Sequence, residues 1–349
     1  MSSLTRLLLV RHGESVGNVQ GIMQGSGSGS GTKAAPYDRL TPQGYHQALA
    51  LGHHLAQPAP QTVPPTLGPT APPTHLYSSP ARRTQQTLSA LLWAYRFTLR
   101  GATWADLQQP WQERSQPTDQ DCLDFFALDA DDLPNHDRPV HDRPVYDRPN
   151  HDRPLDDSYL HDRPNHDRPP DQFQLDDRLQ EINNGIFCGL TWTQAQQQYP
   201  DLCQQLLHSP DWVPIPQAET PQQCHDRAQA WIQTVTNLPS GSHIWAMTHG
   251  GILPYLWAAL LGSDRTWGFT AAHTACFELC WDGDRWQSVT HPSAIHPNPA
   301  QPNPTQPSQT QPSTPQPHNT RHNTTLWHIA QFNNTDHYRL LSASAPPLQ

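Results

Sequence analysis

Cysteine is scarce and scattered in this chain of 349 residues. Its six cysteines (Cys122, Cys188, Cys203, Cys224, Cys276 and Cys280) include no Cys-x-x-Cys pair. That excludes a disulfide framework and reads as reduced intracellular thiols. Cys276 and Cys280 fall where a strand would bury them, so they read as core positions rather than metal ligands. Basic residues are few as well. Lys+Arg number 21 against 31 Asp+Glu, for a formal net charge of −10, so no nucleic-acid partner is expected. Long apolar runs are missing too. The run at 7–10 is too short for a secretory signal and passes straight into Arg11. The stretch Ile252 to Leu261 is half a membrane span. The expectation is a soluble cytoplasmic protein with no membrane partner and an open oligomeric state.

Proline, by contrast, is abundant and clustered. Most of the 38 prolines lie in three segments, 57–73, 105–172 and 291–325. Residues 135–169 are seven pentapeptides, six of them ending in Asp-Arg-Pro. Proline at that spacing forbids a continuous helix or a central strand, and too few apolar side chains remain to offset the entropy of ordering. The histidines of this tract (His136, His141, His151, His161 and His166) can attract metal adventitiously. The plainer reading is a solvated surface insertion. The Gly/Ser tract at 25–34 and the segment at 291–325 read as flexible insertions on the same grounds. What remains is ample for one buried core, so 1–349 is expected to be a single domain carrying insertions at 25–34, 57–73, 105–172 and 291–325.

Three segments repeat one plan. Leu7–Val10 is an apolar run that breaks into Arg11-His12-Gly13. Thr74–Tyr77 leads into Ser78-Ser79-Pro80 and a helical periodicity through Leu88, Leu91, Leu92 and Tyr95. Ile244–Met247 leads into Thr248-His249-Gly250-Gly251 and a second periodicity ending at Gly262. Thr41-Pro42 marks a further helix start, with Thr41 as N-cap and Pro42 as the first helical residue. Strands alternating with helices predict a three-layer α/β/α fold around a mostly parallel sheet. Ala275–Trp281 and Arg285–Val289 flank Asp282-Gly283-Asp284, a hairpin signal, and Leu326–Phe332 reads as one more strand.

The chemistry concentrates where the apolar runs end, which is where parallel sheets place ligands. Arginine suits phosphate through its bidentate fork. Histidine is the side chain best able to act as a neutral nucleophile near pH 7.

With RHGESVGN at 11–18, LTPQG at 40–44, SSPARRTQQT at 78–87, LQEINNGIFCGLT at 179–191, AETPQQCHDR at 218–227 and MTHGG at 247–251, the chain resembles the histidine phosphatase superfamily, the phosphoglycerate-mutase-like proteins. The resemblance implies that His12 is the nucleophile that becomes phosphorylated. It places Arg11, Arg83 and His249 around the phosphoryl group, with Asn18 and Gly250 as further phosphate contacts. It makes Glu181 the general acid and then the base for water, in a raised-pKa setting suited to that donation. Arg82 rivals Arg83; Asp176, Asp177 and Glu219 rival Glu181. Glu219 and Arg227 are expected to be structural. No cofactor and no metal are expected, because arginines and a polarised imidazole supply the charge that a phosphoryl transition state needs.

The implied function is a metal-independent phosphomonoesterase acting on a small phosphorylated metabolite. Phosphoglycerate mutase-type transfer is the alternative, and a non-catalytic binding protein the more remote one. The phosphatase is favoured because the mutases carry a tryptophan before the asparagine and a Glu-Arg-His-Tyr-Gly stretch. Here those places read Gly17-Asn18 and Glu181-Ile182-Asn183-Asn184-Gly185, without the groups that would hold a second acidic end.

Overall fold

The computed structural model describes residues 4–25, 35–57, 72–112, 173–263, 265–266, 268–282 and 327–343. In chain order these residues form β1 (Leu4–Arg11), α1 (Val16–Val19), α2 (Pro42–Ala56), β2 (His75–Ser78), α3 (Arg82–Leu99), α4 (Trp104–Gln112) and β3 (Gln174–Leu175). Two short 3-10 turns follow. Then come α5 (Trp192–Gln198), α6 (Pro200–His208), α7 (Pro221–Thr236), β4 (His243–Thr248), α8 (Leu253–Leu261), β5 (Cys276–Asp282), β6 (Trp327–Asn334) and α9 (Tyr338–Ala343). The strands make one six-stranded sheet in the order β3-β2-β4-β1-β5-β6. β1, β2, β3 and β4 run parallel, whereas β5 pairs antiparallel with β1 and β6 antiparallel with β5.

The apolar run of β1 explains the layers. A central parallel strand buried on both faces needs apolar side chains at every position, because successive residues point to opposite sides. Leu7 and Leu9 join a cluster with Trp231, Ile232, Leu253 and Leu256, on the face covered by α7 and α8. Leu8 and Val10 join another with Leu51, Leu88 and Leu91, on the face covered by α2 and α3. Each of the fully buried leucines contributes about 2 kcal/mol through the apolar surface it removes from water. α2 starts where expected: Thr41 Oγ1 accepts from the Gly44 amide, and Pro42 fills the first turn. Further along α2, a Cβ on Gly52 would run into the Leu91 carbonyl of α3, so glycine is what lets these two helices approach so closely.

One expectation is corrected. The insertion expected from residue 105 does not begin there, since 105–112 continue α4, and Leu107 is buried against Leu49, Ala90 and Ala94. Its side chain supplies the apolar anchor that composition over a long window averages away. β5 lies between β1 and β6, antiparallel to both; the expected hairpin strand Arg285–Val289 lies outside the described residues, as do 26–34, 58–71, 113–172 and 291–325. The strand expected at Leu326–Phe332 is Trp327–Asn334. Among the described residues, no helix is long and apolar enough to cross a membrane.

At the C-terminal end His337 is 1 % exposed and shares a 2.8 Å hydrogen bond with Thr274 Oγ1. Burial, helped by nearby His54, pushes its pKa down to about 3. In the unfolded chain the same ring takes a proton near its ordinary value of about 6.5. Between those values the unfolded state binds more protons, so stability falls as pH drops through that window. From pH 7 to pH 5 this one residue is expected to remove about 2 kcal/mol of unfolding free energy. Urea titrations at the two pH values check it, and His337→Gln should flatten the difference by that amount.

Candidate active site

The β1–β4 register pairs Arg11 with Thr248, so the residues that follow these strands, His12 and His249, emerge side by side at the C-terminal edge of the parallel strands. The backbone continues the pairing: the His12 amide donates to the Thr248 carbonyl at 3.0 Å, and the Ser79 amide to Met247 at 3.0 Å. Arg83 enters from the first turn of α3. Glu181 enters from the loop between the two 3-10 turns. Arg11, His12, Asn18, Arg83, Glu181 and Gly251 line one cavity of about 240 Å³, completed by Ile22, Gln24, Ile182 and Asn184.

His12 is 2 % exposed. Its Nδ1 lies 2.7 Å from the Gly13 carbonyl. A carbonyl can only accept, so Nδ1 carries the proton and Nε2 keeps its lone pair. Arg83 Nε donates to that Nε2 over a long 3.3 Å. Burial holds the ring well below its ordinary pKa, and the charges of Arg83 and Arg11 lower it further. The imidazole is therefore neutral, with its basic nitrogen toward the guanidinium groups. His249, fully buried, has the opposite tautomer: Arg83 Nη2 donates to its Nδ1 at 2.9 Å, and its Nε2–H donates to Ser79 Oγ at 2.8 Å. It too is held well below its ordinary pKa, by burial first and then by Arg83. The ring centroids of His12 and His249 are 5.1 Å apart, edge to face.

Arg83 is 1 % exposed and forms a buried ion pair with Asp38. This settles its position against Arg82, whose backbone amide bonds Asp38 Oδ2 at 3.1 Å and which does not line the cavity. Arg11 donates from Nη1 to the Ala271 carbonyl, while its buried Nε has no partner. Burial lowers its pKa, and the Glu181 carboxylate offsets part of that.

Glu181 accepts from the Ile182 amide at 2.9 Å and from the Gly251 amide at 3.2 Å. A Cβ on Gly251 would collide with Glu181 Oε1, so glycine is required there for the carboxylate to sit in the cavity. Gly250, the glycine expected at the phosphate, packs instead against the Arg11 guanidinium. The rival acids lie elsewhere. Asp176 pairs with Arg178 at 2.6 Å, and Asp177 accepts from Gln180. Glu219 pairs with Arg227 at 2.7 Å. Arg227 in turn donates to the carbonyls of Arg178, Gln180 and Glu181, and Glu219 accepts from the Asn183 amide. That pair clamps the loop carrying Glu181.

Asp38, Ser79, Gln24 and His273 take part without having been singled out in the sequence. His273 stands 6.3 Å from the His12 ring, with its pKa brought down to about 4 by burial and by Arg11. No local spacing flags these residues; each reaches the site through packing of distant elements.

An α/β sheet that opens a neutral, buried imidazole between two guanidinium groups, with a carboxylate facing them, defines an anion site of the phosphoryl-transfer type. The pattern of the histidine phosphatase superfamily (branch 1) matches residues 7–109 and 165–293, more than half of the chain, and the protein belongs to that superfamily of phosphotransfer enzymes. No curated protein matches the chain in sequence. Among solved structures, it is similar to a mycobacterial glucosyl-3-phosphoglycerate phosphatase, at 17 % identity and a TM-score of 0.45, over 80 % of this chain and 91 % of that one. It is also similar to a phosphoserine phosphatase from Entamoeba histolytica, at 15 % identity and 0.43, over 79 % and 90 %. A phosphoglycerate mutase from Bacillus anthracis is similar at 14 % and 0.42, over 81 % and 90 %.

Proposed function

We propose that the protein is a metal-independent phosphomonoesterase, acting in the cytoplasm on a small phosphorylated metabolite through a phosphohistidine on His12, with the whole of 1–349 serving as one domain. The observation that carries this reading is the neutral His12, with its Nε2 lone pair toward Arg83 and Glu181 lining the same cavity. Nε2 attacks phosphorus, the bond from phosphorus to the ester oxygen breaks, and protonated Glu181 gives its proton to the departing alkoxide. Glu181, now a carboxylate, takes a proton from water as the water oxygen bonds phosphorus and the His12–phosphorus bond breaks. Inorganic phosphate leaves. Arg11, Arg83 and Asn18 hold the equatorial oxygens, where the transition state spreads its charge, and His249 orients Arg83. The test is a panel of phosphomonoesters in the presence of a metal chelator, with 3-phosphoglycerate plus a bisphosphoglycerate primer included. Release of inorganic phosphate is expected; efficient isomerisation with little release overturns the reading.

Arg227 is a positioning residue on this reading. Arg227→Met is expected to lower kcat about 10- to 100-fold, as supporting residues of a site typically do when removed, with KM little changed. The loss in kcat/KM, which covers the steps up to departure of the leaving group, should shrink sharply for para-nitrophenyl phosphate, whose leaving group needs no proton from Glu181. A merely structural defect lowers both substrates alike.

A further inference from the structure

The hydrogen-bond pattern around the cavity fixes how its amide side chains are turned. The Ser15 backbone amide donates to Asn18 Oδ1 at 3.0 Å, and a backbone N–H can only donate, so that atom is the amide oxygen. The Ser15 hydroxyl also bonds Asn18 Oδ1, at 2.8 Å, and so spends its single proton there. Ser15 Oγ must then accept from Gln24, which turns the Gln24 nitrogen toward it at 2.9 Å. Gln24 Oε1 is then its free acceptor, buried and without a partner. Asn184 is fixed independently: its Nδ2 donates to the Gln24 carbonyl at 3.1 Å, which leaves its Oδ1 as the available atom. Both side chains line the cavity.

We propose that the alcohol released from the phosphate is uncharged and carries hydroxyl groups, and that Gln24 Oε1 and Asn184 Oδ1 read those hydroxyls as paired acceptors. This rests on the hydrolase reading above. An unpartnered buried acceptor costs free energy that a substrate hydroxyl recovers. A carboxylate in the same place meets two amide oxygens, in a cavity that the Glu181 carboxylate also lines. The cations that line the cavity among the described residues are Arg11 and Arg83, and both serve the phosphoryl end. Ile22 and Ile182 supply the apolar surface for a short carbon chain.

The test uses the full chain and three esters of one size: glycerol 3-phosphate, 3-phosphoglycerate and propyl phosphate, with para-nitrophenyl phosphate as a hydroxyl-free reference. Glycerol 3-phosphate is expected to exceed both of its analogues in kcat/KM by about tenfold or more, the scale of a substrate hydroxyl matched to a site built to bond it. Equal or better turnover of 3-phosphoglycerate or propyl phosphate overturns the inference. In Asn184→Leu the ratio of glycerol to propyl ester should fall several-fold, and an unchanged ratio counts against the assignment. Should that variant fail to fold, the wild-type comparison decides alone. Hydrolysis of para-nitrophenyl phosphate with no hydroxyl preference removes this inference and leaves the hydrolase reading standing. No phosphate release from any ester removes the hydrolase reading itself.

Discussion

His12→Ala is expected to lower kcat by about four orders of magnitude, on the scale of removing a catalytic nucleophile, and to abolish acid-labile phosphate labelling of the protein. Two features make the loss this large. The ring is fixed in one tautomer by the Gly13 carbonyl, and among the described residues no other imidazole lines the cavity. The nearest ring, His249, has both nitrogens committed to Arg83 and Ser79 and cannot replace it without breaking those bonds, and His273, 6.3 Å away, does not line the cavity. Rapid-quench labelling with a phosphoryl donor reads the intermediate directly. Retention of acid-labile label in the alanine variant would remove His12 as the nucleophile.

The second large effect is at Arg83. Arg83→Met is expected to cut kcat/KM about 1,000-fold, on the scale of losing an oriented donor to the transition state. It is also expected to cost about 3–5 kcal/mol of stability, because Asp38, whose side chain is fully buried, is left as an unpaired charge. The two losses separate in the double variant Arg83→Met/Asp38→Leu. Replacing both members of a buried pair by apolar groups is often neutral in stability, so urea denaturation should return close to the parent value while activity stays lost. If activity returned along with stability, Arg83 would be scaffolding rather than a phosphate ligand.

Much of this was legible in sequence because it is local. Strand β1 betrays itself by four consecutive apolar residues, α2 by Thr41-Pro42, and the end of α8 by Gly262, which adopts a left-handed φ of 63°. His12 and His249 could be placed because each follows directly on an apolar strand. What the sequence missed, or left with rivals, depends on meetings across the fold. Arg82 and Arg83 are adjacent and chemically identical, and only the direction each takes from the first turn of α3 sends one to Asp38 and His249. Asp38 itself carries no signal, since its role exists only through a partner 45 residues later. Asp176, Asp177 and Glu219 stood as rivals to Glu181 in the sequence, and these three are engaged with Arg178, Gln180 and Arg227.

Taken by itself, then, the sequence determined the layers, the strand–turn–helix units and the pair Arg11-His12 at a sheet edge, because periodicity, caps and turns act over a few residues. Only the tertiary structure decided which arginine is buried in the site, which carboxylate enters the cavity, and which way each imidazole and amide points. Those choices follow from hydrogen bonds between elements up to about 170 residues apart, whose geometry exists only once the sheet has paired and the helices have closed over it.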